Sequence, residues 1–237
     1  MDIKNKINLS IVISYIVIQL VSYIFGIFVD LPFPVKYVYY IFICLNFLFS
    51  IYLLVVFKTK DSLIMSLGLM FTLISDTFLV LLGGYKVIAM ISFVIVQIIY
   101  WIRLINMRNN KSINICDFVR IALVLIMIIL AAIIVGESFD SLVFVTCVYY
   151  PLLIINFIES IIYFKNNMYF SVGLACFILC DTIVGLTNCS SYLGIKESVI
   201  KLLIGTIDTA WLFYYPSQIL LVFSIIKNKY KIGERHD

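Results

Sequence analysis

Charge is scarce in this chain. Asp, Glu, Lys and Arg together make up 13% of 237 residues, against about 25% in an ordinary soluble domain, so a fully water-facing shell cannot be assembled. Histidine occurs once, as His236 near the C-terminus, and the six cysteines contain no CxxC pair. Zinc sites built from His and Cys need clustered ligands, which excludes that chemistry, and the spacing does not read as a disulfide framework. Cys176 and Cys180 are four apart and share a helix face, but Cys in an apolar run acts as a small apolar residue. No metal and no other cofactor is expected. What fills the chain is hydrocarbon, with 64% hydrophobic residues and a mean hydropathy of +1.14.

Apolar runs recur over about 9–29, 38–57, 62–82, 87–105, 118–136, 141–164, 168–188 and 206–226. Each is long enough to cross about 30 Å of hydrocarbon as a helix. The first run follows Lys4 and Lys6, but Ser22-Tyr23-Ile24-Phe25 offers no small-x-small cleavage site, so it reads as a span and not a signal peptide. The fold class expected is all-α, a polytopic bundle of eight transmembrane helices forming one domain over 1–237. Basic residues set the orientation. The N-terminus, residues 58–61, 106–117 and 165–167, the C-terminal tail and the adjoining helix ends hold all the Lys and Arg except Lys36, Lys86, Lys196 and Lys201. That bias puts both termini in the cytoplasm of a multi-pass protein, with the plasma membrane as its expected location. It also accounts for the net charge of +4, so no nucleic-acid partner is called for.

Two aspartates lie inside these runs, each within the same phrase. Ser66-Leu67-Gly68-Leu69 is followed by Asp76-Thr77, and Ser171-Val172-Gly173-Leu174 by Asp181-Thr182, at an offset of 105 residues. Tyr39-Tyr40, Asn46-Phe47 and Ser50 recur as Tyr149-Tyr150, Asn156-Phe157 and Ser160, and Gln97-Ile98 recurs as Gln218-Ile219. Spans one to four and five to eight, roughly 9–105 and 118–226, therefore read as two copies of a four-helix unit. Four is even, so both copies enter from the same side and the repeat is expected to be parallel. The glycines suit close helix approach. The aspartates do not reduce to packing, because a carboxylate in hydrocarbon is costly and marks a functional site by default. Asp76 lies about six residues from the outer end of its span, roughly 9 Å at the helical rise.

Other polar residues inside the runs carry less. Arg103, near the cytoplasmic end of span four, is expected to snorkel to the headgroups. Glu159 would pair with Lys165 or reach water, and Asp208 would cap span eight at the positive end of its dipole. Gln97 and Gln218 are either interhelical hydrogen-bonding groups or substrate ligands. Tyr149-Tyr150 reads as an interfacial anchor. Tyr214-Tyr215-Pro216-Ser217-Gln218 lies well inside span eight, where Pro216 removes a backbone hydrogen bond, as Pro151 does in span six.

At these residues the chain resembles the YhhN-like membrane proteins, which include the lysoplasmalogenases. Gly68-Leu69-Met70-Phe71-Thr72-Leu73-Ile74-Ser75-Asp76 resembles the family's Gly-Leu-x-Phe-Ser-x-x-Gly-Asp type of segment. Gly173-Leu174-Ala175-Cys176-Phe177-Ile178-Leu179-Cys180-Asp181 resembles its Gly-x-x-x-Phe-x-x-Ser-Asp segment, and Tyr214-Tyr215-Pro216-Ser217-Gln218 its late Tyr-Tyr-x-x-Gln. The likeness runs over about 36–226. It departs at Ser75, where the family usually has Gly, at Gln97, where it usually has His, and at Tyr37, which follows Lys36 in place of Pro.

The resemblance implies a membrane-embedded hydrolase that cleaves the vinyl-ether bond of lysoplasmalogens to a fatty aldehyde and a glycerophospho-headgroup. Asp76 and Asp181 would then be the acid/base pair, since two carboxyls in low dielectric cannot both ionise cheaply. Tyr214, Tyr215, Gln218 and Gln97 would bind or orient a lysophospholipid drawn from the bilayer, and Lys36 would meet its phosphate. The competing class is a proton-coupled carrier of lipid or another small molecule using the same carboxylates. A non-catalytic lipid-binding protein is the third reading.

Overall fold

The computed structural model describes residues 8–28, 34–108, 113–165, 167–188 and 209–233. Asp208, both termini and the segment 189–208 lie outside the described residues. The described residues form helices α1 (Leu9–Phe28), α2 (Lys36–Phe57), α3 (Lys60–Asp76), α4 (Lys86–Met107), α5 (Ile115–Val135), α6 (Ser141–Ile162), α7 (Met168–Asn188) and α8 (Thr209–Gly233). Among the described residues, eight stretches are long and apolar enough to cross a membrane, the third running Lys60–Leu82 through α3 and the turn that follows it. The eight spans thus match the apolar runs, and the boundaries differ by a few residues where polar caps decide them.

Those caps are local chemistry. Thr59 and Ser62 exchange side-chain to backbone hydrogen bonds at the start of α3, and Asn114 and Asp117 do the same at α5. Such a reciprocal cap satisfies donors that a helix start leaves open. Asp140 accepts from the Val143 N–H to start α6. Lys58 ends α2 in the left-handed region (φ 52°), its N–H donating to Leu54 O. α3 does not stop at Asp76 but runs on as a π-helical turn, Thr77–Leu82, closed by Gly83 at φ 69°. Only a residue without Cβ takes that conformation freely.

Packing neighbours run α2, α3, α4, α6, α7, α8 and back to α2, and α8 also meets α3. α1 lies outside this ring against α2 and α8, and α5 lies outside it against α6. Consequently α5 buries little beyond Cys116, Asp117 and Arg120 and presents Ile and Leu outward, as a lipid-facing helix should. The tight pairs rest on small residues. A Cβ on Gly68 would sit 2.8 Å from the Tyr100 ring of α4, and one on Gly173 would sit 3.1 Å from Leu221 of α8. The glycines are what let α3 approach α4 and α7 approach α8.

Hydrogen bonds recur at the offsets seen in sequence. Ser66 donates to Ser50 O and Ser171 to Ser160 O. Tyr40 bonds Thr77 and Tyr150 bonds Thr182. Thr77 and Thr182 each reach back to the carbonyl four residues earlier. The two phrases therefore make the same side-chain hydrogen bonds at these positions.

Two expectations are corrected here. Arg103 does not snorkel. It is fully buried, its guanidinium forked onto Asp61 at 2.7 and 2.8 Å, and it stacks on the Phe170 ring. Glu159 pairs with neither Lys165 nor water. It is enclosed and bridges Arg108 and Arg120, while Asp117 holds the same two arginines. A charge with a buried partner loses its reason to reach for water. Arg108, just past the end of α4, is raised above the usual guanidinium value, chiefly by its hydrogen bond to Asp117 and then by Glu159, against the opposing effect of burial.

Candidate active site

Asp76 ends the α-helical part of α3, and Asp181 lies within α7. Asp76 is 2% exposed and Asp181 is half-buried. Aromatic rings bridge the two positions, since Phe177, one turn before Asp181 on α7, packs edge-on to Tyr214 of α8. Each carboxylate receives a phenol. Tyr214 of α8 donates to Asp76 Oδ2, and Tyr149 of α6 donates to Asp181 Oδ2.

The rest of the surroundings is aromatic. Phe93 of α4 packs on Tyr149 and on Phe177, Phe177 packs edge-on to Tyr214, and Trp211 packs edge-on to Tyr214 at 5.1 Å. Such walls keep the local dielectric low, which strengthens every charge interaction within them. Backbone geometry also differs between the two carboxylates. The π turn begins at the residue after Asp76, with Gly83 N–H reaching Phe78 O at 3.0 Å, while α7 continues as α-helix past Asp181. Single π turns inside α-helices are frequent at functional sites.

The remaining sequence candidates separate. Gln218, one helical turn beyond Tyr214, is buried with neither amide atom paired among the described residues. Gln97 is also buried. Its side-chain carbonyl oxygen accepts from Asn156 at 3.0 Å, and its amide nitrogen has no partner among the described residues. The Tyr100 hydroxyl is likewise buried and unpaired. Buried polar groups are nearly always satisfied, so the unpaired amide of Gln218, one turn from the tyrosine on Asp76, suits a bound polar molecule. Tyr215 is otherwise engaged, its hydroxyl on Ser22 O and its ring on Phe42. Lys36 is exposed at the start of α2, its ammonium near the Leu81 carbonyl at the end of the π turn.

Sequence reasoning missed Tyr149 as a site residue. Its only signal was that Tyr149-Tyr150 occurs in α6 at the spacing at which Tyr39-Tyr40 occurs in α2, which read as anchoring. It also missed the role of Asn156, which accepts from Arg120 and donates to Gln97, tying the site's floor to the buried charge cluster.

The model of the YhhN family matches residues 35–225. No curated protein and no solved structure matches the chain.

Proposed function

The chain belongs to the YhhN family, and on that footing we propose that it is a membrane-embedded hydrolase of the lysoplasmalogenase type. The observation that carries this is that Asp76 of α3 and Asp181 of α7, at matching places in the repeated phrase, each receive the hydroxyl of their own tyrosine. Vinyl-ether hydrolysis is an acid-catalysed reaction. One carboxyl delivers a proton to the alkene carbon remote from the ether oxygen, leaving an oxocarbenium ion. The other carboxylate takes a proton from water as the water oxygen bonds to the cationic carbon. The hemiacetal so formed collapses, its hydroxyl proton passing to the departing glycerol oxygen. The products are a fatty aldehyde and a glycerophospho-headgroup, and the pair has exchanged one proton in and one out.

Three features support this chemistry. Two carboxyls walled by aromatic rings cannot both ionise cheaply, which favours one proton for the pair. The rings of Phe93, Phe177 and Trp211 suit a transient cation, which aromatic faces attract. The unpaired amide of Gln218 and the unpaired amide nitrogen of Gln97 offer donors and an acceptor to the glycerol hydroxyl and headgroup oxygens, and Lys36 at the rim suits a phosphate.

The test is aldehyde release by the purified protein in detergent with a lysoplasmalogen. Turnover is expected, and Asp76→Asn and Asp181→Asn should each lower it about 10³-fold while the melting temperature stays close to wild type. A micelle has no two compartments, so turnover there excludes transport as its cause. Near-normal activity in either variant overturns the mechanism. Absence of turnover together with Asp-dependent, proton-driven uptake into vesicles would instead make the protein a carrier.

A further inference from the structure

The two Asp-Thr steps look alike in sequence, yet their phenols arrive from different directions. In the second half, both tyrosines of Tyr149-Tyr150 engage the step on α7, Tyr149 on Asp181 and Tyr150 on Thr182. In the first half only the second contact recurs, Tyr40 on Thr77 at 3.1 Å. Tyr39, the counterpart of Tyr149, is turned away. Its hydroxyl donates to Gly26 O of α1 at 2.9 Å, and its ring stacks on Trp211 at 3.8 Å. The phenol on Asp76 comes from α8 instead, as Tyr214. The α4 counterpart of Tyr214, at the spacing that relates Gln97 to Gln218, is Phe93, which has no hydroxyl. Each carboxylate is thus served by one of two possible phenol positions, and not by the same one.

We propose that Tyr149 and Tyr214 are positioning residues, each fixing one carboxylate of the pair, and that their unequal origin makes Asp181 and Asp76 chemically unlike members of a single reaction centre. The proposal rests on the hydrolase reading for its kinetic consequence, but its geometry stands apart from it. A phenol hydrogen bond fixes which carboxyl oxygen is free to face substrate, because the bonded oxygen has spent a lone pair. Asp76 is held by a helix of the opposite half, so its orientation depends on how α8 seats against α3. Asp181 is held by α6, its neighbour within the same half. The π turn after Asp76 and the uninterrupted α-helix after Asp181 add to the inequality. A single shared proton already divides a pair into acid and base, and unequal surroundings fix which carboxyl takes which role.

The test uses Tyr149→Phe, Tyr214→Phe and Tyr39→Phe in the purified full-length protein. Each keeps the ring and removes only the hydroxyl. Aldehyde release by Tyr149→Phe and Tyr214→Phe should fall about 10- to 100-fold in kcat, the range seen when a group orienting a functional ligand is lost, with KM within about twofold. The pH–rate profile should be displaced in both. Tyr39→Phe should stay within about twofold of wild type with an unmoved profile. Wild-type rates and profiles in both Tyr149→Phe and Tyr214→Phe would overturn the proposal while leaving the hydrolase reading intact. If the wild type releases no aldehyde, the hydrolase reading fails and infrared spectroscopy decides this proposal alone. The carboxyl signal that disappears in Asp76→Asn should shift in Tyr214→Phe, and the one that disappears in Asp181→Asn should shift in Tyr149→Phe. Neither should move in Tyr39→Phe. Carboxyl signals indifferent to both phenols would overturn it.

Discussion

Arg103 Nη1 donates to Ser224 Oγ at 2.7 Å, and these two residues occupy the same place in α4 and α8, at the spacing that also relates Gln97 to Gln218. Equivalent positions of the two last helices therefore meet. The same guanidinium forks onto Asp61 at the start of α3 and reaches the Ser224 carbonyl at 3.2 Å. One side chain thus ties α3, α4 and α8 at the end of the bundle away from the paired aspartates. Replacing it by Met should leave Asp61 without its partner in a largely buried place. The cost of breaking such a pair is about 3–5 kcal/mol, and the thermal unfolding of Arg103→Met in detergent should show it as a large drop. Arg103→Lys should fall between, because an ammonium keeps the charge but cannot fork.

The second ionic knot joins α5 and α6 to the end of α4. Glu159 and Asp117 each contact both Arg108 and Arg120, and Trp101 donates to Asp117 while Arg120 lies over its ring. Glu159→Gln should cost about 3 kcal/mol, since two buried cations then share one carboxylate. The informative measurement is a double-mutant cycle with Asp117→Asn. Members of one network are non-additive, with coupling of about 0.5–3 kcal/mol, so the double variant should lose measurably less or more than the sum of the singles.

Gln218 should separate stability from activity. Its amide is buried with both atoms unpaired, so replacing it by Met, of similar volume, removes a desolvation cost and no protein hydrogen bond. Melting temperature should hold or rise. If the amide serves the substrate, KM for the lysophospholipid should rise about tenfold, the equivalent of roughly one charge-free hydrogen bond. Melting curves and initial rates on the same preparation check both halves.

The eight spans and the repeated phrases that hold Asp76 and Asp181 were legible in the sequence because their signals are local. An apolar run of 20 or so residues declares itself, and a repeated phrase such as Ser-Leu-Gly-Leu with Asp-Thr beyond it needs no partner to be seen. The partners were not legible. Arg103 was read as snorkelling because its carboxylate, Asp61, sits 42 residues away and its serine 121 away. Glu159 was read against nearby Lys165 when its cations are 51 and 39 residues distant. The π turn after Asp76 has no composition signature at all. Tyr149 was hidden by its own type, since an interfacial anchor and a phenol that serves a carboxylate are the same residue. What separates them is the opposing helix.

That asymmetry leads to a rescue experiment. Asp76 receives its phenol from α8 and Asp181 from α6, but α4 holds Phe93 where α8 holds Tyr214. Phe93 already packs on Tyr149 and Phe177, beside the helix that carries Asp181. A hydroxyl added there would approach Asp181 as Tyr214 approaches Asp76. Tyr149→Phe alone should be slow, and Phe93→Tyr added to it should leave it slow, because the new phenol would arrive as Tyr214 arrives at Asp76 and make the two carboxyls alike. In the wild-type background Phe93→Tyr should not accelerate the reaction, as Asp181 already has its donor. Recovery confined to the Tyr149→Phe background would show that the direction of the phenol matters less than its presence. A double variant as slow as Tyr149→Phe would show that only the α6 approach leaves the productive carboxyl oxygen free.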